Sequence, residues 1–359
     1  MHGPIAEEDS MRGKTAPFVM LLFLGSLAVP GAGTAHSDKP CEPSNTVRCE
    51  GQWEVQQSGA TDDLRAVFFL NPDIGWAAGA ANTILKTTDG GRTWRRLPLE
   101  RQERGPRFEE VVFVSPTEGW AGERRLLLYT GDGGESWQPA SQPRGLHGFG
   151  PGQVVGQARL QMNVPTAGSG IYRTDDGGRT WRGLGGELPW NSSEAIFFVG
   201  PTGWIAGGQG KLARTTDGGA TWTAHDIPDQ HDLRHPRLRF VSPERGWLMA
   251  QGGHKGGILF TADGGKSWQS QYVRVTPHRT MQDFLFLDEQ NGLLLAEDNT
   301  NLYKVLHTSS GGKKWRTLGT LKSRCYALSF PDLSHGWVVG TKGFIAHYHV
   351  VPVPMRPGK

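Results

Sequence analysis

Apolar residues along this chain come in short runs separated by turn-forming clusters. The first clear run, Leu64–Phe69, reads Leu-Arg-Ala-Val-Phe-Phe. It is too short for a globular helix and rich in β-branched and aromatic residues, so it predicts a buried strand. Asn71-Pro72 then marks a turn. Gly75-Trp76-Ala77-Ala78-Gly79 predicts a second strand and Ile84-Leu85-Lys86-Thr87 a third. The polar stretch Asp89-Gly90-Gly91 predicts a tight turn into a fourth strand that starts near Trp94.

This unit repeats. Its most regular piece is Thr, any residue, Asp, Gly, Gly, any residue, Thr or Ser, Trp. It stands at residues 87–94, 130–137, 174–181, 215–222 and 261–268. A degenerate copy at 308–315 has Ser310 for the Asp and Lys314 for the Thr, which predicts a looser turn. The glycines supply the positive φ of a hairpin turn. The acids Asp89, Asp132, Asp176, Asp217 and Asp263 can accept free backbone N–H groups of the turn. The tryptophans Trp94, Trp137, Trp181, Trp222, Trp268 and Trp315 each bury a large apolar face. A Gly-Trp strand precedes four of the copies, at Trp76, Trp120, Trp204 and Trp247, and recurs at Trp337 after the last copy; the third unit lacks it. The turn tryptophans recur every 41 to 47 residues. Four strands at that period predict an all-β protein, a β-propeller of four-stranded antiparallel blades.

The two ends predict the blade count. After Trp315 the chain offers three strands, ending beyond Phe344, and no further Asp turn. Near the start, Gln52-Trp53-Glu54-Val55 is a fourth strand with no blade before it. Pairing the two gives a seven-bladed propeller closed by an N-terminal strand that completes the last blade, and removes two open sheet edges. The propeller is expected over 52–350, after a lead-in at 36–51 and before a tail at 351–359.

Residues 1–35 read as a secretory signal peptide. Arg12 and Lys14 precede an apolar run, and Gly33-Thr34-Ala35 supplies small residues at a cleavage site. Met11 is an alternative initiator. No later stretch is apolar enough to span a membrane, so the mature chain is expected to be exported, periplasmic or lumenal, with the extracellular space as the further option. In such a compartment Cys41 and Cys49 are expected to close a small disulfide loop, while Cys325 reads as a buried thiol that could instead pair with either.

Composition narrows function mainly by exclusion. Lys and Arg number 38 against 35 acids, a net charge of +3, which gives no argument for nucleic acid. The turn acids lie on different blades, so they cannot converge on a calcium ion. The loop holding His225, Asp226, Asp229, His231, Asp232 and His235 has donors for zinc, but a solvated loop is the plainer reading. No cofactor and no metal are expected. Adjacent acids such as Glu109-Glu110 point to opposite faces of a strand and make no ready glycosidase pair.

The loops joining a fourth strand to the next first strand share one end of a propeller, and they are rich in arginine. Arg104, Arg107, Arg144, Arg237, Arg279 and Arg324 lie there, with Arg65 at the start of the first inner strand. Arginine pairs bidentately with carboxylates. These residues are candidates for docking an acidic protein segment; scattered solubilising charge is the plain alternative.

The repeated turn resembles the Asp-box, or bacterial neuraminidase repeat. Together with Pro-x-x-Gly-Trp-x-x-Gly, as at residues 72–79 and, one residue shorter, at 201–207, it is similar to the photosystem II stability and assembly factor propellers. That resemblance implies a non-enzymatic, exported, monomeric scaffold that binds a protein partner, for instance a membrane-complex subunit, and assists assembly of the complex. The alternative is a secreted glycan-binding or glycan-hydrolysing propeller, although the arginine motif that opens a sialidase site is absent.

Overall fold

Burial follows from how the strands stack. In Leu64–Phe69 four of the six residues are buried, and Gly75–Gly79 behind it is buried throughout. Such a strand is covered on both faces. Ile84–Thr87 and then the short Arg95–Arg96 continue the sheet outwards, all antiparallel. The computed structural model describes Ser44 and residues 47–354, apart from 100–104, 124–125, 142–152, 156–160, 166–170, 177, 185–194, 208–209, 228–233, 252–256, 272 and 274–279.

The described residues form seven four-stranded sheets. Six run in simple chain order from inside to outside. The remaining sheet orders Cys325–Ser329, His335–Gly340, Ile345–Pro354 and, outermost, Val47–Gln56. Val47 pairs with Pro354 and Gln56 with Ile345, so strand pairing reaches beyond residues 52–350 on both sides. The fold is an all-β propeller with four-stranded antiparallel blades.

Neighbouring sheets are joined by a repeated aromatic contact. The Trp of one second strand lies flat on the Phe that ends the next inner strand. Trp76 stacks on Phe113 and Trp204 on Phe240, each at 3.5 Å between ring centres. Trp337 stacks on Phe69 at 3.4 Å, linking the last sheet to the first. The turn Trp then meets the same Phe edge-on, as Trp94 does Phe69 at 5.9 Å. Trp53 does this for Phe330 at 6.3 Å, in the sheet that has no Asp turn of its own. The glycine before each such Trp is required, because a Cβ on Gly75 would lie 2.5 Å from the Phe69 ring.

Within each Asp-containing turn the same bonds recur. Thr87 Oγ1 donates to Asp89 Oδ1 at 2.8 Å and accepts the Gly91 N–H at 2.8 Å. Asp89 also accepts the Thr93 N–H at 2.9 Å and its hydroxyl at 2.6 Å. Asp132, Asp176, Asp217 and Asp263 repeat this pattern. In the degenerate copy Ser310 still accepts the Lys314 N–H, at 3.1 Å, but Lys314 has no hydroxyl to donate. Indole N–H groups join blades through the turns: Trp76 donates to the Gly133 carbonyl and Trp337 to that of Gly90, both at 3.3 Å.

Cys325 is a buried free thiol and Cys49 is disulfide-bonded. Cys41 and the expected signal segment lie outside the described residues. Among the described residues no helix is long and apolar enough to cross a membrane.

Candidate docking face

Four of the seven inner strands begin irregularly. Pairing shifts register between Leu64 and Ala66, Met281 and Asp283, and Cys325 and Ala327, with a similar shift between Arg234 and Arg237. These are β-bulges, which leave Arg65, Gln282 and Tyr326 opposite no partner and re-aim their side chains. The end of the propeller where fourth strands return to first strands therefore carries side chains that regular pairing would have turned elsewhere.

Two charged clusters form there. At the junction of the last and first sheets, the Arg65 guanidinium sits 4.3 Å from the centre of the Tyr326 ring, and that of Arg324 sits 5.6 Å from it. Tyr326 donates its hydroxyl to Asp63 Oδ2 at 3.3 Å. Asp63 Oδ1 accepts the Lys342 backbone N–H at 3.2 Å, and Arg65 approaches Asp63 only to 3.9 Å. Arg65 Nε is buried without an acceptor among the described residues. Arg324 and Lys342 are exposed. Two guanidinium groups thus flank one aromatic ring, and one of them also approaches a carboxylate.

The second cluster joins the fifth, sixth and last sheets. Asp283, 9% exposed, receives Arg237 at 3.3 Å, lies 3.9 Å from Arg239 and accepts the Leu328 N–H at 3.2 Å. A buried carboxylate needs such partners. Arg237 is thereby committed to an internal ion pair, although about half its side chain remains exposed.

Of the arginines expected on this face, Arg65 and Arg324 come together on one ring, and Arg237 lies in the other cluster. Arg107 is exposed beside the buried Phe108. Arg104, Arg144 and Arg279 lie outside the described residues. The sequence did not point to Tyr326, Asp283 or Arg239. Their signal would have been the bulges, which depend on pairing register and leave no mark in composition. Among the described residues no group of three or more His, Cys, Asp or Glu could hold a metal. Two clefts elsewhere, of about 190 and 180 Å³, are lined by one carboxylate each, Glu289 and Asp132.

The fold is that of a β-propeller, with two charged clusters where fourth strands return to first strands. The chain belongs to the family described as "Photosynthesis system II assembly factor YCF48", whose profile matches residues 45–188 and 191–273. It is 25% identical to Photosystem II assembly lipoprotein Ycf48 of Synechococcus sp. (strain CC9902), over 77% of this chain and 82% of that protein. It is also 25% identical to the chloroplastic photosystem II stability/assembly factor HCF136 of Arabidopsis thaliana, over 77% of this chain and 73% of that protein. The solved structure "YCF48 bound to D1 peptide" superposes with a TM-score of 0.64 at 23% identity, covering 83% of this chain and 94% of that one. A GH74 xyloglucanase from Xanthomonas campestris superposes at 0.62 with 14% identity, covering 82% of this chain and 53% of that one, a likeness of fold alone.

Proposed function

We propose that the chain is an exported, non-enzymatic propeller that binds a protein partner and assists assembly of a membrane-associated complex, as its photosystem II relatives are named for doing. Its docking surface is the arginine-bearing end, and the partner segment is acidic. The observation that supports this reading is the pair of guanidinium groups over Tyr326, at the end of the propeller where the arginine-bearing loops return to the inner strands. Residues 47–354 form one seven-bladed ring in which the N-terminal strand completes the last blade. The pairing of Val47–Gln56 with Ile345–Pro354 supports this, as do the Ser58 hydroxyl bond to the Gly343 carbonyl at 2.6 Å and the Phe69 N–H bond to Ser329 Oγ at 3.0 Å. Residues 1–35 are removed on export to the periplasm or lumen, and Cys41 pairs with Cys49. The glycan-hydrolase alternative is weaker: Asp63 and Asp283 are both engaged by neighbours, and the two clefts named above offer a single carboxylate each.

The test compares wild-type protein with an Arg107→Glu, Arg324→Glu double variant. Both are used to capture partners from the native envelope, with identification by mass spectrometry. A membrane-complex subunit captured by wild type and lost with the variant is the expected result. Identical partner sets would overturn the assignment of the face.

A further inference from the structure

Resting on that reading, we infer that the acidic partner segment is anchored at the seam between the last and first blades, on Tyr326, and that Asp63 is an internal stand-in for the partner's carboxylate. The two charged clusters differ in one respect that decides this. In the Asp283 cluster the acid is nearly buried, is bonded by Arg237 and receives a backbone N–H. Those arginines are largely satisfied, and an incoming carboxylate would have to displace a desolvated ion pair. At the seam the acid is held loosely. Asp63 is about a third exposed, its distance to Arg65 is 3.9 Å, and its firmer bonds go to the Tyr326 hydroxyl and the Lys342 N–H. Arg65 keeps its Nε without an acceptor. Arg324, exposed, adds its charge over the same ring.

Tyr326 holds the guanidinium groups in place. Its ring faces Arg65 and Arg324, so each side chain is pre-ordered over an aromatic surface and loses less freedom when it pairs with a carboxylate. The bulges at Arg65 and Tyr326 put both residues at the strand entrance, accessible to a chain laid across the seam. A carboxylate entering between Arg65 and Arg324 would take over the role Asp63 now fills. The seam joins the two ends of the chain, so a bound segment spanning it would also brace ring closure.

This makes an unusual prediction: removing an acid should matter as much as removing a base. Asp63→Asn keeps an oxygen to accept the Lys342 N–H but withdraws the competing charge. The probe is a fluorescein-labelled peptide of alternating alanine and glutamate, titrated into the purified protein at low salt, with anisotropy as the readout. Asp63→Asn is expected to bind it roughly two- to fivefold more tightly, in keeping with a partly exposed ion pair. Tyr326→Ala is expected to bind roughly fivefold more weakly. Tyr326→Phe keeps the ring, loses only the bond to Asp63, and is expected to bind at least as well as wild type. It also guards against misfolding of the alanine variant. Asp63→Asn and Tyr326→Ala both binding like wild type, while Arg107→Glu weakens binding, would overturn the seam and leave the basic face standing. If wild type fails to bind the peptide at any salt concentration, the acidic-partner reading falls and the seam proposal with it.

Discussion

Ser310 shows how much one side chain contributes to a turn. At the five regular copies a carboxylate accepts both the N–H and the hydroxyl of the residue four positions on. Those bonds hold Asp132 down at about 2, chiefly the Ser136 hydroxyl and then its N–H. From the residue four positions on, Ser310 accepts the N–H alone, because Lys314 has no hydroxyl. Replacing Ser310 with Asp and Lys314 with Thr should therefore stabilise the protein by about 1–2 kcal/mol, seen as a higher urea midpoint. Below about pH 2 the gain should vanish, because the carboxylate then protonates. His347 carries the opposite sign. It is stacked on Trp337 at 4.4 Å between His335 and His349, and its Nε2 has no partner among the described residues. Burial, reinforced by the charge of His349 and His335 and opposed by Asp332, pushes its pKa down to about 3. The unfolded chain takes up that proton near the ordinary value of 6.5, so His347 lowers stability progressively as pH falls from 6.5 towards 3. His347→Phe should flatten the melting temperature against pH across that window, measured by circular dichroism.

At the scale of elements, the unit of construction is a strand pair plus the aromatic stack that fixes it to its neighbour. Four strands per unit and the turns between them were legible in the sequence, because alternation, Gly-Trp and Asp-Gly-Gly are local signals. The stack was half legible. The tryptophans stood out, but the Phe that receives them, such as Phe113 or Phe240, looks like any other apolar residue at a strand end. Only packing shows that Gly119 is bare because Phe113 lies over it, where a Cβ would come within 2.4 Å. Trp53 supplies the edge-on contact to Phe330 and also lies 5.3 Å from Tyr348. Trp53→Ala should cost about 2–3 kcal/mol, less than a fully buried tryptophan because the ring is partly exposed. Equilibrium urea unfolding measures it.

For the whole molecule, the seven hydrophobic clusters each draw on two neighbouring sheets, as where Phe69, Leu64 and Trp337 pack together. The sheet built from both chain ends packs on the first sheet in the same way. Deleting residues up to Gln57 should leave a three-stranded last blade with an open edge, and a protein that melts lower and aggregates, as size-exclusion chromatography would show. The sequence alone determined the strand content, the repeat, the turns and the Trp53 strand as a candidate partner for the last blade, because each depends on residues near one another in the chain. It also marked arginines as the candidate chemistry. Tertiary structure decided where those arginines sit. Arg237 is drawn into an ion pair with Asp283, 46 residues away, whereas Arg65 and Arg324 meet across the seam on Tyr326. That sorting depends on bulges and on blade packing, which place distant residues within a few ångströms and which no local pattern encodes.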